Sequence, residues 1–117
     1  MSRDYHLYLK DILEACKKLM YYSAGITFEQ FSKDDMRYDA ILHNLEIIGE
    51  AAKHVPEEIK SKYPKVEWRR ISGLRDIVAH VYFGVSDEII WDVTKNNIPS
   101  LYEQIKDLLR SEELKSS

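Results

Sequence analysis

The sequence predicts an all-α fold, an antiparallel four-helix bundle with short additional helical turns. Apolar residues recur at spacings of three and four along four segments, the pattern of helices that bury one face. Only 4 Gly and 3 Pro occur in 117 residues, so few positions suit hairpin turns or flexible linkers. At 44% hydrophobic and 32% charged residues, the chain is expected to form one domain over residues 1–110, followed by a frayed polar tail at 111–117.

Apolar faces and helix-ending residues mark the first two helices. The first helix is expected to end at Gly25. The second helix is expected to start at the Ser-x-x-acid signal of Ser32 and Asp35 and to end at Pro56. Gly49 lies inside the second helix despite its low helix propensity, which predicts a close crossing with a neighbouring helix. The face of the first helix comprises Tyr5, Tyr8, Leu9, Ile12, Cys16, Leu19, Met20 and Ser23. That of the second comprises Tyr38, Ile41, Leu42, Leu45, Ile48, Gly49 and Ala52.

The second half of the chain predicts two more helices. Residues 56–66 are bounded by prolines and are expected to form a connection with one helical turn. The third helix is predicted from Trp68 to a cap at Gly84, and the fourth begins after the N-cap candidate Ser86. Pro99 predicts either a kink in the fourth helix or a fresh start, because proline cannot donate a helical hydrogen bond.

Composition excludes several classes of function. A net charge of -3 argues against a protein that holds nucleic acid by bulk electrostatics, so any RNA contact must be local. The single Cys16 excludes an internal disulfide and a cysteine-based zinc site. The N-terminus is charged where a signal peptide would be apolar, and no long apolar run occurs. We therefore expect a soluble, cytoplasmic protein without membrane association.

Four polar or reactive side chains crowd the end of the third predicted helix, namely Arg75, Asp76, His80 and Tyr82. Arginine offers a planar fork that matches phosphate oxygens, and histidine exchanges a proton near neutral pH. The carboxylate of Asp76, four residues before His80, is predicted to accept a ring proton and orient the imidazole. The pattern suits phosphodiester chemistry, but spacing alone leaves equally open a surface salt-bridge cluster of Arg75, Asp76 and His80.

The spacing of these residues also raises a geometric question. On a regular helix, Arg75 and His80 point about 140° apart. Either the helix distorts near His80, or the working site forms where two copies of this segment face each other across a twofold axis. We favour the dimer. Arg75 and Tyr82, seven residues apart, are predicted to share a face.

Several segments between about residues 38 and 109 resemble the HepT-like branch of the HEPN proteins. The family motif is an arginine, a polar residue, three or more further positions and a histidine, and the HepT branch adds a tyrosine two residues later. Arg75, Asp76, His80 and Tyr82 occupy those places. The resemblance also rests on Tyr38-Asp-Ala-Ile-Leu, Asn44-Leu-Glu-Ile-Ile-Gly-Glu-Ala-Ala, Trp68-Arg, Gly73-Leu-Arg-Asp and His80-Val-Tyr-Phe-Gly-Val.

The resemblance implies a HEPN-like homodimer that acts as a metal-independent endoribonuclease toxin, without a cofactor, in a type VII-like toxin–antitoxin pair. His80 would withdraw the proton of a ribose 2′-OH in the RNA substrate, and Arg75 would stabilise the phosphoryl oxygens. The partner would be a minimal nucleotidyltransferase antitoxin that transfers AMP to Tyr82. A second hypothesis, from another class, is a non-catalytic helical dimer that binds nucleotide or a nucleotidyltransferase partner and is merely modified at Tyr82.

Other polar groups have two interpretations each. Glu46, Glu50 and His54 recur every four residues, which is compatible with a metal site but more typical of a solvated face with intrahelical pairs. Arg69 and Arg70 are possible RNA contacts or only solubilising charges. His6 and His43 are expected at surface or packing positions. Trp68 and Trp91 lie close to apolar stripes, so we expect core or interface packing for both rather than base stacking.

Overall fold

The structure of the protein, a computed structural model, describes residues 4–116, apart from the side chains of Tyr82 and Ser116. Within this range every regular element is a helix and there is no strand, so the predicted all-α class is confirmed. The α-helices are α1 (Tyr5–Ser23), α2 (Phe28–Lys33), α3 (Asp35–Lys53), α4 (Glu57–Lys62), α5 (Trp68–Ser72), α6 (Leu74–Ala79), α7 (Asp87–Asp92) and α8 (Ile98–Ser116).

The first helix ends where the sequence predicts it to end. The Asp4 side chain caps α1 by accepting a hydrogen bond from the backbone N–H of His6, and Gly25 follows the helix with φ +70°. Glycine suits this position because side chains rarely tolerate a left-handed backbone. The predicted end of α1 at Gly25 is confirmed.

The start of the long second helix is corrected by the structure. Its N-cap is Asp34 and not Ser32. The Asp34 side chain accepts a hydrogen bond from the backbone N–H of Arg37. Ser32 lies inside α2, a short helix that the sequence did not predict and that begins with a capping box of Thr27 and Gln30. The capping box satisfies backbone donors that would otherwise lack partners, which allows a six-residue helix to form.

The predicted third helix is wrong as a continuous element. It divides into α5, α6 and a 3₁₀ turn at Val81–Phe83, with Gly73 between the two α-helices and His80 between α6 and the turn. Gly84 follows with φ +109°, and its N–H points to the carbonyl of Val81, so the predicted cap is confirmed. The regular α-helix therefore ends just before His80.

The C-terminal third forms a nearly continuous helical path. Ser86 precedes α7 as predicted, although its side chain does not cap the helix. The π-helical turn Val93–Asn97 joins α7 to α8, and Pro99 is the second residue of α8. The N–H of Ile98 donates to the carbonyl of Val93, five residues earlier, so the helix already departs from regular hydrogen bonding where the proline lacks a donor. The frayed tail predicted from residue 111 is corrected as far as Ser116, because α8 continues to that residue and Glu112 is buried.

The core lies where α1 packs against α3 and α8, while α5 and α6 pack on α3 and α2 bridges α3 and α7. Trp68 and Trp91 serve packing, as predicted: Trp68 is buried and its indole N–H donates to the carbonyl of Tyr63, and Trp91 stacks on Phe31 at 5.0 Å between ring centroids. The largest fully buried side chains are Phe31, Leu9, Ile12, Leu19, Ile41, Leu45, Ile48, Ile90, Ile98, Ile105, Leu108 and Thr94.

Over residues 4–116, no helix is both long enough and apolar enough to cross a membrane.

Candidate active site

Gly49 brings the backbones of α3 and α6 together at the candidate site. A Cβ built on Gly49 would lie 2.6 Å from the backbone N and 3.1 Å from the Cβ of Arg75, closer than real side chains come. The close helix crossing predicted from Gly49 is therefore confirmed, and its partner is the first turn of α6. The crossing places the residue after Gly49 beside Arg75.

Arg75 forms an ion pair with Glu50 on α3. Its Nη1 donates to Glu50 Oε2 at 2.8 Å, and the side chains of Arg75 and Glu50 are 48% and 47% exposed. One hydrogen bond uses only part of the five-donor guanidinium, so other N–H groups remain available for a phosphate. This pairing was not predicted from the sequence; the only hint was that Glu50 follows Gly49, the residue at which a close helix crossing was predicted.

The second carboxylate oxygen of Glu50 contacts the C-cap residue of the same helix, α3. Oε1 lies 3.3 Å from Nε2 of His54, the intrahelical pair that the sequence favoured over a metal site. The His54 hydrogen bond, followed by the charges of Arg75 and Lys53, lowers the pKa of Glu50 below its usual value, so the carboxylate is ionised at neutral pH. Among the described side chains, no group of three His, Cys, Asp or Glu residues is arranged to hold a metal ion.

His80 lies at the end of α6 with an exposed side chain. Its Nδ1 is 2.6 Å from the backbone carbonyl oxygen of Asp76. A carbonyl only accepts, so Nδ1 carries the proton and the lone pair of Nε2 is left to act as a base. Asp76 does orient the ring, but it does so through its backbone carbonyl. The predicted contact through its carboxylate is wrong, because at the end of α6 the carbonyl of residue i−4 lies within hydrogen-bond distance of Nδ1.

The distortion near His80 that the sequence raised as one alternative is present. Because α6 stops at Ala79, Arg75 and His80 do not belong to one regular helix. No hydrogen bond or ion pair joins these two side chains within the described part of the protein. The side chain of Tyr82 lies outside the described residues, so the face that it was predicted to share with Arg75 stays a prediction.

Phe83 is an exposed aromatic ring beside His80. It is 84% exposed, and its ring centroid lies 6.2 Å from that of His80. The turn is held by hydrogen bonds to the His80 carbonyl from the N–H groups of Phe83, at 2.9 Å, and Val85, at 3.2 Å. No role was predicted for Phe83 from the sequence, and its position just before the capping Gly84 was the available signal.

The two arginines predicted as RNA contacts lie on α5, next to the site in sequence. Both are exposed, and Arg70 pairs with Glu67 at 3.0 Å on the same short helix. The ion pair lowers the positive charge that this helix offers to RNA. A role for Arg69 or Arg70 in RNA contact stays a prediction.

An all-helical domain with an exposed arginine and an exposed histidine beside a capping glycine has the features of the HEPN class. A model of the family described as "Ribonuclease HepT-like" matches residues 12–108, which include both side chains. The chain belongs to this HepT-like ribonuclease family of HEPN proteins.

Curated relatives match over most of their length. A protein of Caldanaerobacter subterraneus subsp. tengcongensis named "Putative RNase" is 45% identical over 105 residues, covering 90% of this chain and 94% of the relative. One of Thermococcus cleftensis named "Probable ribonuclease HepT" is 40% identical over 101 residues, covering 86% and 92%. A further "Putative RNase", of Methanocaldococcus jannaschii, is 39% identical over 109 residues, covering 93% and 90%. The search of solved structures finds no significant match.

Proposed function

We propose that this protein is a metal-independent endoribonuclease toxin that cuts RNA by attack of a ribose 2′-OH on the adjacent phosphorus. The observation that carries the proposal is the ring of His80. Its Nδ1 is committed to the Asp76 carbonyl, which leaves the basic Nε2 on an exposed imidazole. Membership of the HepT-like ribonuclease family supports RNA as the substrate.

The reaction needs a base and a group that stabilises negative charge. His80 Nε2 takes the proton of the 2′-OH, the 2′-oxygen bonds to phosphorus, and the bond from phosphorus to the 5′-oxygen breaks. The leaving 5′-oxygen takes a proton from His80 or water, and a 2′,3′-cyclic phosphate remains. Arg75 donates to the non-bridging phosphoryl oxygens, on which charge accumulates in the transition state.

We propose that the protein works as a homodimer of HEPN-like four-helix bundles. Arg75 pairs with Glu50 and His80 with Asp76, and within the described residues of one chain no hydrogen bond or ion pair joins the two proposed catalytic side chains. A twofold axis near α6 would bring Arg75 of one protomer toward His80 of its partner.

Cleavage of a fluorophore-labelled RNA in the presence of EDTA tests the activity and its metal independence. His80→Ala is expected to lower the rate by roughly a hundredfold or more, and a 2′-deoxy nucleotide at the cleaved position is expected to block cutting. His43→Ala and Arg110→Ala are matched controls, since both residues are exposed and lie outside the site. Equal RNA cutting by wild type and His80→Ala would overturn the proposal and favour the non-catalytic dimer.

Mixed dimers test where the site forms. Arg75→Ala and His80→Ala proteins are expected to be inactive separately, and to recover part of the wild-type rate after they are unfolded and refolded together. Recovery follows because one of the two shared sites would contain an intact arginine from one protomer and an intact histidine from the other. Recovery would not occur if each chain carried its own complete site.

The proposal includes a regulatory partner, a minimal nucleotidyltransferase antitoxin that modifies Tyr82. The tyrosine oxygen would attack the α-phosphorus of ATP, pyrophosphate would leave, and the hydroxyl proton would pass to solvent. The added AMP brings bulk and negative charge two residues from His80, which would oppose RNA phosphate. Co-expression with such an enzyme is expected to raise the mass by AMP units and to restore growth, whereas Tyr82→Phe is expected to gain no mass.

A further inference from the structure

Glu50 contacts Arg75 directly, and its carboxylate is held from a second side. Arg75 donates to one carboxylate oxygen and His54 faces the other. The ring of His54 in turn stacks on that of Tyr8, with centroids 5.0 Å apart and planes inclined by 19°. The contacts thus run from α1 through α3 to the arginine of α6.

The backbone determines where Glu50 and Arg75 meet. At Gly49 the backbones of α3 and α6 are so close that a Cβ atom would not fit between them, and this contact fixes the spacing of the two helices. Glu50 therefore reaches Arg75 from a backbone that is already in place, so formation of the ion pair orders only the two side chains. A mobile surface pair would lack this preorganisation.

The contact leaves the guanidinium usable. Nη1 is engaged at 2.8 Å, while Arg75 stays about half exposed. A planar guanidinium that is fixed on one edge presents its other N–H groups in a defined direction, which is how arginine recognises phosphate with two parallel hydrogen bonds. An unsupported arginine would have to be ordered during the reaction.

We infer that Glu50 is a positioning residue, which holds the Arg75 guanidinium in the orientation that receives the scissile phosphate. His54 and Tyr8 fix the carboxylate in turn. The inference rests on the proposed ribonuclease function and adds to it a residue outside the Arg75–His80 motif. A carboxylate that only competed with RNA phosphate for Arg75 would have the opposite effect on activity.

The test compares Glu50→Ala and Glu50→Gln with the control Glu46→Ala, one turn earlier on the exposed face of α3. Glu50→Ala is expected to lower kcat by about tenfold to a hundredfold with little change in KM, because orientation in the transition state is lost. Glu50→Gln keeps an oxygen acceptor and is expected to recover much of kcat. Higher activity or tighter RNA binding in Glu50→Ala would overturn the inference, as would an unchanged kcat.

A second measurement separates this inference from the proposed function. In ¹H–¹⁵N spectra of the side chain, rotation of the Arg75 guanidinium is expected to be faster in Glu50→Ala and near wild type in Glu50→Gln. Thermal unfolding checks that both variants fold. If wild type cuts no RNA while Arg75 is still restrained by Glu50, the ribonuclease proposal fails but the contact stands. If the guanidinium moves equally in all variants, the positioning role fails.

Discussion

Two glutamates of this protein are held by groups from several helices, with opposite results. Glu112 on α8 is 5% exposed and accepts hydrogen bonds from the hydroxyls of Tyr5 and Tyr63, with Lys62 at 3.7 Å and Lys115 at 3.6 Å. Glu50 is 47% exposed and faces an arginine whose fork is only partly used. The first carboxylate is buried and its bonding capacity is filled, whereas the second leaves its partner able to bind a ligand.

Because Glu112 is buried and Glu50 is half exposed, we expect Glu112 to matter for stability and Glu50 for function. Removing the buried carboxylate of Glu112 leaves two part-buried tyrosine hydroxyls without their acceptor and opens a cavity, so the cost falls on folding. A half-exposed ion pair contributes little to the free energy of unfolding, because both charges are also well hydrated in the unfolded chain and ordering the two side chains costs entropy. We therefore expect substitutions at Glu112 to change unfolding and those at Glu50 to change activity.

Glu112→Ala is expected to have the largest effect on folding, a loss of about 3 kcal/mol in the free energy of unfolding. Two tyrosine hydroxyls and two lysines lose their shared partner. Urea denaturation measures the loss, with Glu103→Ala on the exposed face of α8 as the control. RNA cleavage per folded molecule should not change. A fall in cleavage as large as that of Glu50→Ala would contradict the division between the two sites.

Gly49→Ala is expected to affect both properties. The added methyl meets the backbone N of Arg75 at 2.6 Å, so α3 and α6 must separate. Overpacking of this kind costs about 2 kcal/mol, and the shift moves Arg75 away from Glu50. Gly73→Ala is the milder comparison, because its added Cβ would lie 3.3 Å from the carbonyl oxygen of Arg70, a tight contact that a shift of a few tenths of an ångström relieves. Gly49→Ala with wild-type stability and activity would show that the crossing has more freedom than the structure allows.

The pH dependence of stability should follow Glu112. Hydrogen bonds from Tyr63 and Tyr5 hold the pKa of Glu112 below its usual value of 4.5. A depressed pKa means that the stabilisation is complete above the unfolded-state pKa and is lost as pH falls through the folded-state pKa. Unfolding free energies measured between about pH 6 and about pH 3 should decline more steeply in wild type than in Glu112→Gln. Parallel curves would assign the acid sensitivity to other carboxylates.

His54→Ala is expected to have the smallest effect. It removes one contact of Glu50 but leaves the bond from Glu50 to Arg75, so cleavage should fall only about two- to fivefold. The unfolding free energy should change by less than about 0.5 kcal/mol. Steady-state kinetics and urea denaturation of His54→Ala, beside His43→Ala, measure both. An effect as large as that of Glu50→Ala would mean that His54 itself orients Arg75.

Features that depend on neighbours in the chain could be predicted from the sequence. Helix faces repeat locally, so the all-α class was predictable, as were the ends at Gly25 and Gly84. The close crossing at Gly49 was predictable because a glycine inside a helix needs a packing reason. The cap at Asp34 was missed, since Ser32 and Asp34 are both good capping residues; the capping box of Thr27 and Gln30, which starts α2 and places Ser32 inside it, was the available signal.

The same division applies to the site. The types and spacing of Arg75, His80 and Tyr82, together with the family resemblance, predicted a HepT-like ribonuclease, and membership of that family is confirmed. Tertiary structure decided which groups Arg75 and His80 meet. Glu50 lies 25 positions before Arg75, and no local pattern pairs the two. The end of α6 at Ala79 decided that the Asp76 carbonyl, not its carboxylate, sets the His80 tautomer. Long-range contacts and helix ends arise from packing, which a one-dimensional pattern does not specify.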